Sequence, residues 1–390
     1  MRLTSSFAVF RFDPGEQDLA RPRWLAREHK LAEAEEEYRK ALGRNPDLFA
    51  GWQELFELLR RSRRYHDALD VAEEAARHWG DDAAMPHTLR GAALVDLGRI
   101  GDGIAALQRA ISLDDALALA WHEYGYASYR AGHHGEALLS LDRAFALEPH
   151  TDTLMLRGRI FRDGGRYDAA EVAFQGAMQS TDHDVPRHEA EREIHATRRA
   201  AALGGKRPRD FTPREEWFAV KGGILLCARA DGATLGERVA RAVAEFAGLA
   251  AEVGWNPAAV AGAIPADQAL AELVAATLGV PALGCATLDP ADRPLIVTVR
   301  NDGGDQWKKQ VERLGRWRSG YAFALVEPPD TDEGADVVGV GEDVPDRPIE
   351  AALEAARGTL VAPAAPDPET LTLASQPLTV WRQRAAGTAA

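Results

Sequence analysis

Along the first half of the chain, small and large apolar residues return in a fixed order about every 34 residues. The clearest copy runs Trp121, Gly125, Ala137, Leu141, Ala144 and Pro149. Before it stand Gly91, Gly103, Leu107 and Ala110, and before those Trp52, Ala68, Ala72 and Ala75. After it come Gly158, Ala170, Phe174 and Ala177, while Ala34, Tyr38, Ala41 and Pro46 repeat the second half of the unit upstream. A period in this range predicts stacked helix pairs rather than one closed core. Gly91, Gly125 and Gly158 would let the first helix of a pair come close to the second, with Ala68, Ala137 and Ala170 on the facing helix. Trp52, Trp121, Tyr38 and Phe174 would fill the space between neighbours. Short turns are predicted at 63–65, 98–100, 132–134 and 164–167. Pro46 and Pro149 end one unit and open the next, because proline has no N–H to continue a helix. The first unit breaks the pattern: Arg21-Pro22-Arg23 falls where its leading helix should run. Proline suits a first helical turn, so residues 22–43 are predicted as one longer helix capping the stack.

Beyond His195 the repeat stops and the pattern changes. Continuous apolar runs at 223–228, 258–263, 295–299, 321–326 and 336–340 read as buried strands. Helix-like stretches at 235–253, 266–278, 306–318 and 348–357 separate them. Such alternation predicts a mostly parallel sheet covered on both faces. The domain plan is an N-terminal segment at 1–21, a helical repeat domain at 22–200 and a linker at 201–214. An α/β domain at 215–362 follows, then a Pro/Ala-rich segment at 363–390, with a possible edge strand over 371–382. The fold class is therefore multidomain: an all-α solenoid followed by an α/β domain.

Composition narrows the functions. The net charge of −14 is shared evenly between the halves, which argues against binding a phosphate backbone. Only Cys227 and Cys285 occur, at no metal or redox spacing, so buried thiols are expected. No stretch reaches the ~18 uninterrupted apolar residues of a membrane span. The start lacks a run suited to a secretory signal, and a cytoplasmic address is expected.

The beats of the first half resemble the tetratricopeptide repeat family over residues 15–182. That resemblance implies a concave groove lined by the first helix of each pair, which takes an extended peptide or a partner helix. The inward rows would be Gln53, Glu57 and Arg60; Thr88, Ala92 and Val95; His122, Tyr126 and Tyr129; and Met155, Arg159 and Arg162. Tyr and Arg are frequent interface anchors, so partner binding is assigned to Gln53, Glu57, His122, Tyr126, Tyr129, Arg159 and Arg162. Chaperone-type members clamp a peptide carboxylate with Lys and Asn in the first rows. Gln53, Glu57, Thr88 and Ala92 stand there instead, so that clamp is absent. The aromatic and arginine rows could equally contact the chain's own second domain.

Residues 215–345 are weakly similar to type I phosphoribosyltransferases in their order of elements. The family's paired carboxylates should follow the 295–299 strand, but Arg300 and Asn301 stand there, with Asp302 one step later. The loop of Arg300, Asn301, Asp302, Gly303 and Gly304 is a speculative ligand site, since a glycine loop opening a helix offers free N–H groups. A plain turn with a helix cap is the bland alternative. No phosphate-loop or nucleophile-elbow motif is present, and His188 and His195 stand seven apart rather than the four of a zinc-protease helix. Asp231, with Glu215 and Glu216 upstream, is a weak general acid/base candidate. No catalytic residue, metal or cofactor is assigned. The expected function is a protein-interaction scaffold with a non-catalytic α/β domain. The alternative is an enzyme or sensor of a nucleotide or phosphorylated sugar recruited by the repeats.

Overall fold

A computed structural model describes residues 16–181, 183–227, 234–284, 294–301, 309, 321–327, 335–340, 351–353 and 362–376. The chain divides into two compact units, residues 1–161 with 168–191, and residues 162–167 with 192–390.

The first unit is a run of helix pairs: α1 (Glu16–Arg27) and α2 (Leu31–Arg44), α3 (Phe49–Arg61) and α4 (Tyr65–Trp79), α5 (Ala84–Asp96) and α6 (Ile100–Leu113). Next come α7 (Ala118–Arg130) and α8 (His134–Leu147), then α9 (Thr151–Asp163), α10 (Tyr167–Ser180) and α11 (Asp184–Ala201). From α1 to α8 each helix packs on the next, and α3, α5 and α7 also touch one another as one layer. The glycines act where the period places them. A Cβ on Gly125 would lie 2.8 Å from Leu141 Cγ, and one on Gly158 would lie 2.5 Å from Phe174 Cε1. Leu141 and Phe174 are fully buried in the space that the missing side chains leave.

The turns inside the pairs share one device. His29, Arg63, Gly98, Gly132 and Gly165 each hold positive φ, between 57° and 83°. At the first four, the following N–H bonds back to the carbonyl five residues earlier: Lys30 to Leu25, Arg64 to Leu59, Arg99 to Leu94 and His133 to Ser128. This closure satisfies carbonyls that the ending helix leaves unbonded. Trp52 and Trp121 fix the loops between pairs in the same manner. Their indole N–H groups donate to the carbonyls of Pro46 (2.8 Å) and Asp115 (2.9 Å).

The predicted long helix over 22–43 does not form. The chain breaks at Glu28–Lys30, where His29 turns left-handed, and Pro22 lies inside α1 rather than at its start. Leu19 and Leu25 of α1 are buried in the same cluster as Tyr38 and Ala41 of α2. Packing of a complete first pair outweighs the roughly 3 kcal/mol that an interior proline costs a helix.

In the second unit, α12 (Pro213–Lys221) leads to β1 (Ile224–Cys227), then α13 (Leu235–Glu252), β2 (Val260–Gly262) and α14 (Gln268–Leu278). They are followed by β3 (Ala282–Leu283), β4 (Leu295–Arg300), β5 (Tyr321–Val326), β6 (Val337–Val340) and α15 (Pro368–Ala374). All six strands are parallel, in the order β1-β6-β5-β4-β2-β3. Alternate residues point to opposite faces. Ile224, Val260, Leu295, Val297, Phe323 and Val337 face α13, α14 and α15 in a large-residue core. Leu225, Ala261, Ile296, Ala322, Ala324 and Val338 make a smaller-residue cluster with Trp217 on the other face. Both sets are buried, which is why the strands read as unbroken apolar runs.

Three predicted features differ or lie outside view. The described part of the expected 371–382 strand is the helix α15, started by Asp367, whose side chain accepts from the Thr370 N–H. Residues 201–214 are packed: Leu203 is buried and Phe211 lies against the large-residue core. The helix expected over 306–318 and most of that over 348–357 lie outside the described residues, although 351–353 are helical.

Candidate partner-binding groove

The odd-numbered helices of the first unit enclose a cavity of about 1260 Å³. Its lining comes from α1, α3, α7, α9 and α11, from Tyr65 at the start of α4 and Asp96 at the end of α5, and from the loops entering α3, α7 and α9. Of the residues expected to face inward, Gln53, Glu57, Arg60, His122, Tyr126, Met155 and Arg159 line it. The second row does not: Thr88, Ala92 and Val95 are buried in the packing of the unit. Tyr129 and Arg162 are also outside the lining. The Tyr129 ring rests beside His134, with centroids 5.6 Å apart, and packs against the cluster of Leu141 and Ile160. Arg162 pairs with Glu193, and both residues belong to the second unit.

At the centre of the groove lies Arg60, its side chain only 16% exposed. Its Nε donates to Asp96 (2.6 Å), and its Nη1 donates to both Glu57 (3.0 Å) and Glu123 (2.8 Å). The guanidinium also lies 5.4 Å from the centroid of the Phe56 ring. Burial pushes the Glu57 carboxyl above its ordinary value. Arg60 opposes the shift and the neighbouring Glu123 adds to it. Arg60 is shared by three carboxylates and Arg61 also acts on Glu57, so acids outnumber cations there by three to two.

Paired charges stand further along. Arg23 grips Glu54 through two nitrogens at 3.0 and 2.7 Å, and Tyr38 donates to the same carboxylate at 2.9 Å. Arg159 meets Glu189 at 2.7 Å. Between them, His122 Nδ1 is 3.0 Å from Thr153 Oγ1, and burial lowers its pKa, so the ring favours its neutral form. Burial lowers His150 likewise, against the pull of Asp152. Tyr126 accepts from Arg130 at 2.9 Å, and that guanidinium also lies over its ring.

Sequence reasoning missed Asp96, Glu123, Glu148 and Asp152 as lining residues. Asp96 and Glu123 each follow by one position a residue assigned to the inner face, Val95 and His122. The difference is a one-residue rotation of the inner stripe, which residue order does not mark.

The carboxyl ends of the strands in the second unit are internally bonded. Asn301 is fully buried and donates to Glu327 Oε2 (2.8 Å), which also accepts from the Ala335 N–H (2.9 Å). Asp267 ties the loop after β2 to β4 by accepting from the N–H groups of Ile264 (3.1 Å) and Val299 (2.8 Å). Burial pushes its carboxyl up, and those N–H groups act against the shift. Arg300 ends β4, whereas Asp302, Gly303 and Gly304 lie outside the described residues, as does Asp231. Glu215 caps α12 and pairs with Lys206 at 2.5 Å. Among the described residues, no group of three or more His, Cys, Asp or Glu is placed to hold a metal ion.

No family model and no curated protein matches the chain. Similar solved structures include tetratricopeptide repeat proteins. TTC0263 of Thermus thermophilus is 17% identical with a TM-score of 0.41, over 46% of this chain and 98% of that one. A tetratricopeptide repeat protein of Parabacteroides merdae is 14% identical with a TM-score of 0.33, over 49% and 75%. YrrB, described as a TPR protein with an unusual peptide-binding site, is 20% identical with a TM-score of 0.29, over 45% and 90%. These likenesses are too distant to carry function. The repeat architecture rests on the chain's own helix pairs and their common turn. Nothing among these structures supports the phosphoribosyltransferase-like reading of the C-terminal half.

Proposed function

We propose that the chain is a protein-interaction scaffold that holds a peptide or partner helix in the groove of its helix pairs. The observation carrying this reading is the 1260 Å³ cavity, into which Gln53, Glu57, His122, Tyr126 and Arg159 project from three separate pairs. It exceeds the roughly 300–1,000 Å³ of small-molecule sites, which suits a chain segment better than a metabolite. Tyr126 and Arg159 offer large, partly rigid side chains with polar tips, the type that dominates interface energies. Tyr129 and Arg162 are engaged elsewhere and leave the proposed site. The sheet unit is read as non-catalytic, since Asn301 and Asp267 direct their polar groups inward. Among the described residues no helix is long and apolar enough to cross a membrane, and we place the protein in the cytoplasm.

Affinity capture from cell extract with full-length protein tests the reading. Tyr126→Ala and Arg159→Ala should each lose a partner that the parent retains, with unchanged circular dichroism. Identical captures from all three proteins would defeat it. A thermal-shift screen of the full chain with magnesium nucleotides and phosphoribosyl diphosphate should leave the melting temperature unmoved. A specific ligand would raise it by mass action and favour the enzyme or sensor alternative.

A further inference from the structure

The groove has a sign as well as a shape. Two of its arginines each meet one lining carboxylate, Arg23 with Glu54 and Arg159 with Glu189. A third, Arg60, is shared by Glu57, Asp96 and Glu123. Asp114, Glu148 and Asp152 add three more carboxylates, and Arg61 completes the arginines of the lining. Among the described residues, eight carboxylates thus face four arginines and no lysine, and His122 and His150 favour their neutral forms. The imbalance is largest around Arg60 and at the mouth where Glu148 and Asp152 stand, with Asp114 adding one more carboxylate before α7.

We infer that the occupant of the groove is a basic segment of a partner protein, whose arginine or lysine side chains reach the Arg60 cluster and the Glu148–Asp152 mouth. This rests on the groove being the binding site and adds the charge of what it binds. In both places acid groups outnumber the cations beside them. The Glu57 and Glu148 carboxyls are pushed up by burial, the condition that a bound guanidinium or ammonium group would relieve. A concave wall with an excess of one sign concentrates the opposite charge and steers its approach. The same field turns away acidic segments, since like charges brought together oppose association.

Fluorescence anisotropy with full-length protein tests the inference, using a short labelled Arg/Ala peptide and a Glu/Ala peptide of equal length as probes. The Arg/Ala peptide should bind and the Glu/Ala peptide should not. Asp152→Lys, at a side chain 68% exposed, and Glu57→Lys should each weaken Arg/Ala binding about tenfold. Glu36→Lys makes the same change of net charge at a side chain 68% exposed on α2 that does not line the groove, and should alter binding less than about twofold. Equal binding of both peptides, no binding of the Arg/Ala peptide, or equal weakening by Glu36→Lys and Asp152→Lys would overturn it. A captured partner that is lost with Tyr126→Ala yet docks through an acidic segment would also overturn it, and would leave the groove reading standing.

Discussion

The two units solve the burial of apolar surface on different length scales. In the helix pairs the decisive contacts are local and repeated. Gly91 meets Leu107, Gly125 meets Leu141 and Gly158 meets Phe174, each sixteen residues on. In the sheet unit the partners are far apart and unrepeated: Ile224 of β1 lies beside Val337 of β6, and β4 separates β2 from β5. A local contact can be copied down a chain and disturbed one copy at a time. A parallel sheet is completed only when distant strands meet, so damage to one strand is felt by all of them.

Three substitutions sharpen this contrast. The largest effect is expected in the sheet. Phe323 is fully buried and stacks on Phe246 with ring centroids 4.7 Å apart. Phe323→Ala should cost about 3–5 kcal/mol in denaturant unfolding and accelerate amide exchange through every described strand. Exchange confined to β5 would break the contrast. Next comes Gly125→Val in the repeats, where the added atoms meet Leu141. A loss of about 1–3 kcal/mol is expected, with faster exchange limited to α7, α8 and their direct neighbours. Exchange rising equally across the first unit would show that the array is not modular. The smallest effect has the opposite sign. Arg63 holds the left-handed position, at φ 57°, that glycine fills in later turns. Arg63→Gly should therefore stabilise the first unit by up to about 1 kcal/mol in the same measurement, and a loss of stability would argue against a shared turn.

What could be read from residue order follows the same division. The helix pairs and their turns are visible because each copy restates its neighbours; Gly98, Gly132 and Gly165 mark the turns outright. The first pair is obscured by Pro22, whose cost is met by the burial of Leu19 and Leu25. In the sheet unit the β-branched run at β4 is plain, whereas the two-residue β3 leaves no pattern. The helix α15 reads as a strand because Leu371, Thr372 and Leu373 alternate like one. Asp367 followed by Pro368 is the available cue, a capping acid before a proline at the first helical position. Part of the groove is visible through Gln53, His122, Tyr126 and Arg159. Its acid excess is not, because helix rotation within the stack brings Asp96 and Glu123 inward, and no local rule fixes that angle.

Arg60 carries a consequence for how the array comes apart. Helical arrays are commonly treated as beads on a string, each bead coupled only to the next. This guanidinium binds Asp96 in the adjoining bead and Glu123 in the bead after that. Such a link skips a junction, so the string stiffens in its middle, and fraying from either end should halt there until α3, α5 and α7 let go together.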